Sequence, residues 1–249
     1  MSFNINSYSS KSEQSQRQAF LEMFQNTPIP ENEILQNLGI YTNRQNLSRF
    51  LFLDHIYKQI LPIHGVIMEF GVRWGQNLCQ LSSLRGMYEP CNFSRKIIGF
   101  DTFKGFPKIH PKDGSAEAVA MHAFGVSENY EEYLTKVLDY HETESPLPHI
   151  KKYELVTGDA TETIHKYLED HPETIISMAF FDFDLYEPTK VCLEAIKPYL
   201  TKGSILAFDE LNCKDFPGET IAFQEVLGKN NYSIRRLPIN PLRSYVIFE

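Results

Sequence analysis

The hydrophobic and polar positions of this chain follow two periods. From Asn46 to Ile60 the apolar residues recur at helical spacing, which predicts an amphipathic helix. Short apolar runs after it predict five strands: Val66–Phe70, Lys96–Phe100, Tyr153–Thr157, Ile175–Phe181 and Ser204–Phe208. Segments with helical patterns separate or follow them: Gln76–Met87, Tyr130–His141, Thr161–Glu169, Pro188–Tyr199 and 219–228. The pattern is typical of an alternating α/β chain.

Strands that alternate with helices predict a parallel sheet covered by helices on both faces. The run Ile175–Phe181 is almost entirely apolar, as expected for a strand buried on both faces. Two further strands near 232–237 and 244–248, joined by a short link with Pro and Asn, predict a terminal hairpin. We therefore predict an α/β, doubly wound, mostly parallel seven-stranded sheet of Rossmann-like type, with N-terminal helices.

The same pattern divides the chain into three parts. Residues 1–18 are polar and rich in Ser and Gln, which predicts a loosely held or disordered arm. Residues 19–61 are predicted to form helices that act as a lid or a subunit contact, or that simply pack on the sheet. Residues 62–249 form the α/β domain, and its insert 104–150 is a long excursion of the kind that usually carries function.

Composition narrows the classes of partner. The 249 residues carry a net charge of −8, which argues against a nucleic-acid substrate because phosphate backbones need a basic face. The N-terminal residues lack an apolar core and no run approaches 18 apolar residues, so we expect neither a secretory signal nor a membrane span. The four cysteines show no C-x-x-C spacing, which favours free thiols in a reducing compartment. These features predict a cytoplasmic protein.

Polar residues end every one of the five leading strands. They are Glu69 and Gly71, Asp101, Asp159, Asp182 and Asp184, and Asp209 and Glu210. In an open α/β sheet, ligands bind outside the carboxyl ends of the strands. A buried acid costs free energy unless it is paired or put to use. The recurrence of acids at this edge therefore predicts a binding site.

The segment from Glu69 to Gly75 is the strongest motif. A glycine after a strand allows a tight turn and a close ligand, and the helix that follows offers free N–H groups. Its spacing, E-x-G-x-x-x-G, differs from the G-x-G-x-x-G of dinucleotide sites and better suits the amino and carboxylate groups of a zwitterion. Asp101, at the end of the second strand, is placed to bind ribose hydroxyls, and Asp159 to bind an adenine amino group. A plain strand-turn-helix, and an N-cap at Asp101, are the structural alternatives.

At this point the chain resembles a known family. The runs GVIMEFGVRWGQNL, IIGFDTFKGFP, GDATETI and FFDFDLYEPTKVCLEAIKPYLTKGSILAFDEL are similar to the macrocin O-methyltransferase family, and most similar to deoxysugar O-methyltransferases of calicheamicin-type biosynthesis. These are class I enzymes that use S-adenosylmethionine (SAM) to methylate sugar hydroxyls. The resemblance covers roughly residues 45–230 and keeps the order of the motifs.

The resemblance implies a role for each strand end. The SAM-binding residues would be Glu69, Gly71, Arg73, Trp74 and Gly75 at the amino-acid part, Asp101, Thr102 and Phe103 at the ribose, Gly158, Asp159 and Ala160 at the adenine, and Asp182. Asp182, Asp209 and Glu210 would hold Mg²⁺ or another divalent cation, which prefers carboxylate ligands. Asp182 and Asp184 would be catalytic. The acceptor would be a sugar-bearing small molecule, and the family implies a homo-oligomer.

One position departs from the family. Some relatives carry a general-base histidine where this chain has Leu185. The base would then be Asp182 or Asp184, or a histidine of the insert, which holds His110, His122, His141 and His149.

Three other functions remain open on the sequence. A methyltransferase that acts on a non-sugar small molecule would carry the same motifs. A nicotinamide-dependent oxidoreductase is disfavoured because G-x-G-x-x-G is missing. A non-catalytic binding protein on the same scaffold is disfavoured by the intact acidic set, although fold alone does not decide function.

Overall fold

The computed structural model describes residues 9–249. Its centre is a seven-stranded sheet in the order β3-β2-β1-β4-β5-β7-β6. The strands are β1 Val66–Phe70, β2 Ile97–Asp101, β3 Tyr153–Thr157, β4 Ile176–Phe181, β5 Leu200–Phe208, β6 Arg235–Arg236 and β7 Ser244–Ile247. Strands β1 to β5 pair in parallel, and β7 runs antiparallel to β5 and β6. The predicted mostly parallel, doubly wound sheet and its terminal hairpin are confirmed.

Six helices cover the two faces of this sheet. They are α2 Arg44–Ile60, α3 Gln76–Tyr88, α4 Tyr130–Thr143, α5 Ala160–Asp170, α6 Tyr186–Ile196 and α7 Gly218–Leu227. Side chains of α2, α3 and α4 share one buried cluster with alternate strand residues such as Ile67 and Phe180. Side chains of α5, α6 and α7 share the second cluster with the intervening residues, such as Met68 and Phe181. This alternation follows from the two-residue period of a strand.

A row of stacked phenylalanines crosses the second face at the carboxyl ends of four strands. Phe70 stacks on Phe100 at 5.0 Å and on Phe181 at 4.8 Å between ring centroids, and Phe181 stacks on Phe208 at 5.2 Å. These same residues are register partners in the sheet. Each ring is followed in the chain by a polar or glycine residue: Gly71, Asp101, Asp182 and Asp209. The stacking therefore aligns the predicted site residues along one edge of the sheet.

The N-terminal segment differs from the expected arm. Helix α1, Lys11–Gln25, includes residues 11–18, whereas residues 1–8 of the predicted arm lie outside the described residues. The helix forms because Ser10 and Glu13 make a capping box, in which the Ser10 hydroxyl accepts the Glu13 N–H and Glu13 accepts the Ser10 N–H. None of the residues of α1 is buried, so local capping rather than packing on the sheet accounts for this helix.

Residues 26–43 continue in two short 3₁₀ turns, Glu31–Glu33 and Leu35–Tyr41. Helix α2 then belongs to the sheet domain itself, because Phe52, Ile56 and Ile60 are fully buried in its core. None of the helices between residues 9 and 249 combines the length and apolar character needed to cross a bilayer.

Two buried carboxylates are among the contacts that hold the insert to the body. In the 3₁₀ turn Pro111–Asp113, the buried Asp113 carboxylate accepts the N–H of Tyr186 at 2.6 Å and the N–H of His110 at 2.6 Å. This places the turn at the N-terminus of α6, where a carboxylate is favoured. In α4, Glu142 is buried between two cations, Arg85 at 2.5 Å and Lys152 at 2.6 Å.

The second contact generates a prediction about stability. Replacing Glu142→Gln leaves the Arg85 and Lys152 charges buried without their counterion, and it should lower the free energy of unfolding by about 3 kcal/mol. The exposed Glu132→Gln in the same helix is the control and should change it by less than about 0.5 kcal/mol. Urea denaturation measures both. Equal stability of the two variants would contradict the role of Glu142 as the buried counterion of Arg85 and Lys152.

Candidate active site

A cavity lies outside the carboxyl ends of the parallel strands. Thirteen of the residues predicted for the site line it: Glu69, Gly71, Arg73, Trp74, Asp101, Thr102, Gly158, Asp159, Ala160, Asp182, Asp184, Asp209 and Glu210. The other two do not. Gly75 is the left-handed N-cap of α3, and Phe103 is buried in the core.

Gly71 marks the closest approach of two strand ends. Its N–H donates to the Phe100 carbonyl at 2.9 Å, and the Asp182 N–H donates to the Phe70 carbonyl at 2.8 Å. Gly71 has a φ of +94°, and a Cβ there would lie 2.1 Å from the backbone oxygen of Asp182. Only glycine fits this turn, because both the conformation and the space exclude a side chain.

Asp101 ties two neighbouring turns together. Its Oδ2 accepts the N–H of Arg73 at 2.7 Å, and its Oδ1 accepts the N–H of Phe103 at 2.5 Å. Both donors adopt left-handed backbone conformations. Burial raises the pKa of Asp101, although these N–H groups oppose the shift. Each carboxylate oxygen has two lone pairs, so Asp101 keeps capacity for two ligand hydroxyls.

Glu69 presents an unpaired oxygen to the cavity wall. The side chain is 1% exposed, and its Oε1 accepts the amide N–H of Asn77 at 2.9 Å. Its Oε2 is buried and has no hydrogen-bond partner among the described residues. Burial therefore raises the pKa of Glu69 well above the usual range. A buried carboxyl with an unmet acceptor is suited to the ammonium of a bound ligand.

The third strand ends in the N-cap of α5. Asp159 Oδ1 accepts both the N–H of Thr161 at 3.0 Å and its hydroxyl at 2.7 Å. The cap uses only one carboxylate oxygen, so the second is available for a ligand. Gly158 precedes it with a φ of +141°.

Arg73 and Trp74 face the insert from the glycine loop. The Arg73 guanidinium lies 4.9 Å above the ring of Phe124. Trp74 is 46% exposed, and its ring meets the edge of Tyr130 at 4.7 Å between centroids. Both contacts join the loop to the insert. The side chains retain surface for a ligand.

The ends of β4 and β5 concentrate negative charge. Burial, followed by the charge of Asp209, raises the pKa of Asp182 well above its usual range, and burial with the charge of Asp182 does the same for Asp184. Burial and the charge of Asp209 raise the pKa of Glu210 to about 7. Glu219 is a fifth acid that sequence reasoning missed. It is fully buried, and its Oε2 accepts the Glu210 N–H at 2.9 Å.

Arg243 is the second residue that sequence reasoning missed. It is 3% exposed and lines the cavity. Its Nε donates to Asp209 Oδ1 at 2.5 Å, and its guanidinium lies 4.9 Å above the Phe180 ring. Arg49 of α2, an exposed residue that sequence reasoning also missed, lines the cavity as well. No local pattern in the sequence marks either arginine.

Leu185, the position of the departure from the family pattern, packs against Phe106 and Ala123 of the insert and also lines the cavity. Its apolar side chain cannot accept a proton there. Of the four insert histidines, His110 lines the cavity. Its Nδ1 accepts the N–H of Lys112 at 3.1 Å, which places the proton of a neutral ring on Nε2. His110 is then a hydrogen-bond donor at Nε2, and the acids remain the candidate bases.

The predicted Mg²⁺ site fits by charge but not by arrangement. Glu210 Oε2 and Glu219 Oε1 are buried acceptors without a partner among the described residues, which a cation would satisfy. Within residues 9–249, however, no three His, Cys, Asp or Glu side chains converge closely enough to hold an ion. One oxygen of Asp209 is already bound by Arg243. The metal remains a prediction.

Comparison with solved structures identifies the family. The calicheamicin methyltransferase CalS11 is 43% identical, with a TM-score of 0.94 over 100% of this chain and 97% of that chain. The chain belongs to the calicheamicin methyltransferase family. It is therefore a class I, SAM-dependent methyltransferase, and the nicotinamide-dependent alternative has no support.

Two further solved structures are similar to this methyltransferase. An apo structure of CalS11, described as a TDP-rhamnose 3'-O-methyltransferase of calicheamicin biosynthesis, is 42% identical with a TM-score of 0.85, over 97% of this chain and 96% of that one. The O-methyltransferase NovP is 17% identical with a TM-score of 0.61, over 81% and 79%, and shares the fold. No protein-family model and no curated protein matches this methyltransferase.

The turn at Gly71 generates a prediction about donor binding. Gly71→Ala should lower the affinity for S-adenosylhomocysteine (SAH) by about tenfold or more, because the strained conformation and the clash displace the loop at a cost of about 1–3 kcal/mol. Gly39→Ala is the control, since a Cβ there meets nothing within 4 Å. Calorimetric titration with SAH measures both. Unchanged affinity in the Gly71 variant would refute the close contact.

The raised pKa of Glu210 generates a prediction about pH. A carboxyl whose pKa is raised to about 7 in the folded protein stabilises it fully below the unfolded pKa and loses this contribution as pH rises through 7. The melting temperature of the ligand-free protein in chelator should fall between about pH 5 and about pH 8, and fall less in Glu210→Gln. Identical pH profiles would show that Glu210 is not in the environment described.

Proposed function

We propose that this enzyme transfers the methyl group of SAM to a hydroxyl of a nucleotide-linked deoxysugar. The observation that carries the proposal is the acidic end of the cavity, which lies beside the predicted SAM site. Support also comes from CalS11, described as a TDP-rhamnose 3'-O-methyltransferase, at 42% identity. A non-sugar hydroxyl is the alternative acceptor, because no described contact selects a sugar.

The donor site follows from the first three strand ends. The unpaired Oε2 of Glu69 binds the ammonium of SAM, and the free N–H groups at the start of α3 bind its carboxylate, assisted by Arg73. Asp101 binds the ribose hydroxyls, with Thr102 beside it. Asp159 and Ala160 bind the adenine. In this assignment Gly75 and Phe103 shape the loops without touching the cofactor.

Methyl transfer then needs alignment and the removal of one proton. A lone pair of the acceptor oxygen attacks the methyl carbon, the C–S bond breaks, and SAH leaves as the neutral thioether. The hydroxyl proton passes to a carboxylate. We assign this role to Asp182, because it lines the cavity at the end of β4 and its backbone contacts Gly71 of the donor loop. Asp184 lies next to it with a left-handed φ of +61° and is the second candidate.

The proposal also includes a divalent cation at the acceptor end of the cavity. Mg²⁺ held by Asp182, Asp209 and Glu210 would offset the crowded negative charge and lower the pKa of a bound hydroxyl. The unpaired oxygen of Glu210 favours it. Because these carboxylates do not converge among the described residues, binding the ion requires them to draw closer together.

We also propose that the enzyme forms a homo-oligomer through its N-terminal segment. Large apolar side chains are exposed there, including Leu35 at 80%, Met23 at 63% and Ile40 at 60%. Several large apolar side chains exposed within one segment favour an interaction surface there. Light scattering should give the mass of an oligomer, and deletion of residues 1–43 should reduce it to that of a monomer.

The proposed reaction is tested directly with purified enzyme, SAM and TDP-rhamnose. We expect SAH and a singly methylated sugar nucleotide, both detected by mass spectrometry. Asp182→Asn should lower kcat by about 100-fold or more, because general-base catalysis contributes about 10²–10⁴-fold. The exposed Asp170→Asn in α5 is the matched control. SAH binding without turnover on any hydroxyl acceptor would leave a non-catalytic binding protein.

The metal is tested in the same assay. EDTA should abolish turnover and Mg²⁺ should restore it, while SAH binding persists. Full activity in EDTA would remove the metal from the proposal and leave the methyltransferase assignment intact.

A further inference from the structure

Arg243 is a buried cation that no part of the proposed mechanism uses. Arg243 directly precedes β7. Its backbone N–H donates to Oδ1 of Asn240 at 3.1 Å, which fixes the backbone of the preceding turn. Burying an arginine costs several kcal/mol unless its hydrogen bonds are met. The hydrogen bonds of this guanidinium must therefore offset the cost of its burial. The partners of these bonds indicate which residues Arg243 positions.

One contact reaches the acceptor side. Arg243 Nε donates to Oδ1 of Asp209 at 2.5 Å, and both side chains lie almost entirely out of solvent. A charge-assisted hydrogen bond of this kind restricts the rotation of the carboxylate. Asp209 lines the cavity, so its second oxygen remains, in one defined orientation, for what binds at the acceptor end, the proposed cation included.

The other contact reaches the donor side. Arg243 Nη1 lies 3.4 Å from Oδ1 of Asn77, and Asn77 Nδ2 donates to Glu69 at 2.9 Å. The orientation of this amide is fixed by its partners, since a carboxylate needs a donor and a guanidinium needs an acceptor. Three hydrogen bonds thus connect Glu69, assigned to the SAM ammonium, with Asp209 at the acceptor end of the cavity. The Phe180 ring supports the guanidinium from below at 4.9 Å.

We propose that Arg243 is a positioning residue for methyl transfer: it orients Asp209 toward the acceptor and holds it in register with the SAM site through Asn77. The inference rests on the proposed function, which places Asp209 at the acceptor end of the cavity, among the carboxylates proposed to hold the cation. It acts through Asp209 and does not touch the reacting atoms. Its loss should lower kcat far more than it weakens SAH binding.

The test is a double-mutant cycle in the full-length enzyme. Arg243→Met and Asp209→Asn are made singly and together, and kcat, the KM of each substrate and SAH affinity are measured with SAM and TDP-rhamnose. Arg243→Met should lower kcat by about 100-fold, the size expected when a reacting group is misplaced by about 1 Å. In the Asp209→Asn background, it should lower kcat by no more than about twofold further, because the two residues act as a unit.

Two controls make the result specific. Arg235→Met changes an exposed arginine of the same hairpin and should alter kcat by no more than about twofold. Arg243→Lys keeps the buried charge and should recover part of the activity, since lysine lacks the planar fork of the guanidinium. If Arg243→Met does not fold, shown by loss of a cooperative thermal unfolding transition, the lysine variant is used in the same double-mutant cycle.

Additive losses in the cycle, or a kcat within about twofold of wild type in a folded Arg243 variant, would overturn the proposal. An equal loss of SAH affinity and kcat would also overturn it, because Arg243 would then serve donor binding. Turnover by the wild-type enzyme in the same assay tests the proposed function separately. The assay therefore distinguishes a wrong acceptor assignment from a wrong role for Arg243.

Discussion

The site depends on the stacked row of Phe70, Phe100, Phe181 and Phe208. The rings lie about 5 Å apart across four neighbouring parallel strands, and stacking of this kind contributes about 0.5–1.5 kcal/mol for each pair beyond simple burial. Since each ring directly precedes a site residue, the alignment of the rings is the alignment of the site. Gly71, Asp101, Asp182 and Asp209 reach the same edge because their preceding neighbours pack against each other.

This alignment crowds several carboxylates together, and other groups at the cavity compensate part of their negative charge. Acids from β4, β5 and α7 are crowded together, and burial with mutual repulsion raises the pKa of Asp182, Asp184 and Glu210. Backbone N–H groups satisfy Asp101, and Arg243 satisfies Asp209. Glu69, Glu210 and Glu219 each keep a buried unpaired oxygen. Of these, Glu69 is proposed to bind the cationic donor and Glu210 a divalent cation, and Glu219 lies beside Glu210.

Much of the fold was predictable because its signals are local. The apolar runs and their polar ends define the strands, and parallel strands must bring those ends together, so Asp101 and Asp182 were identified from sequence alone. The helical character of residues 11–18 was also readable from the Ser10–Glu13 capping box, although polar composition predicted an arm. Arg243, Asn77 and Glu219 could not be found in this way. Asn77 and Arg243 reach the cavity, and Glu219 reaches Glu210, only through tertiary packing, which no local sequence pattern specifies.

A crystal structure of the enzyme with SAH and a TDP-deoxysugar tests the central claim, that the aligned strand ends bring donor and acceptor into one cavity. We expect the SAH amino group at Glu69, its ribose hydroxyls at Asp101, and one sugar hydroxyl facing the SAH sulfur and hydrogen-bonded to Asp182 or Asp209. A sugar bound elsewhere, or one whose hydroxyls touch neither of these carboxylates while SAH occupies the cavity, would contradict it.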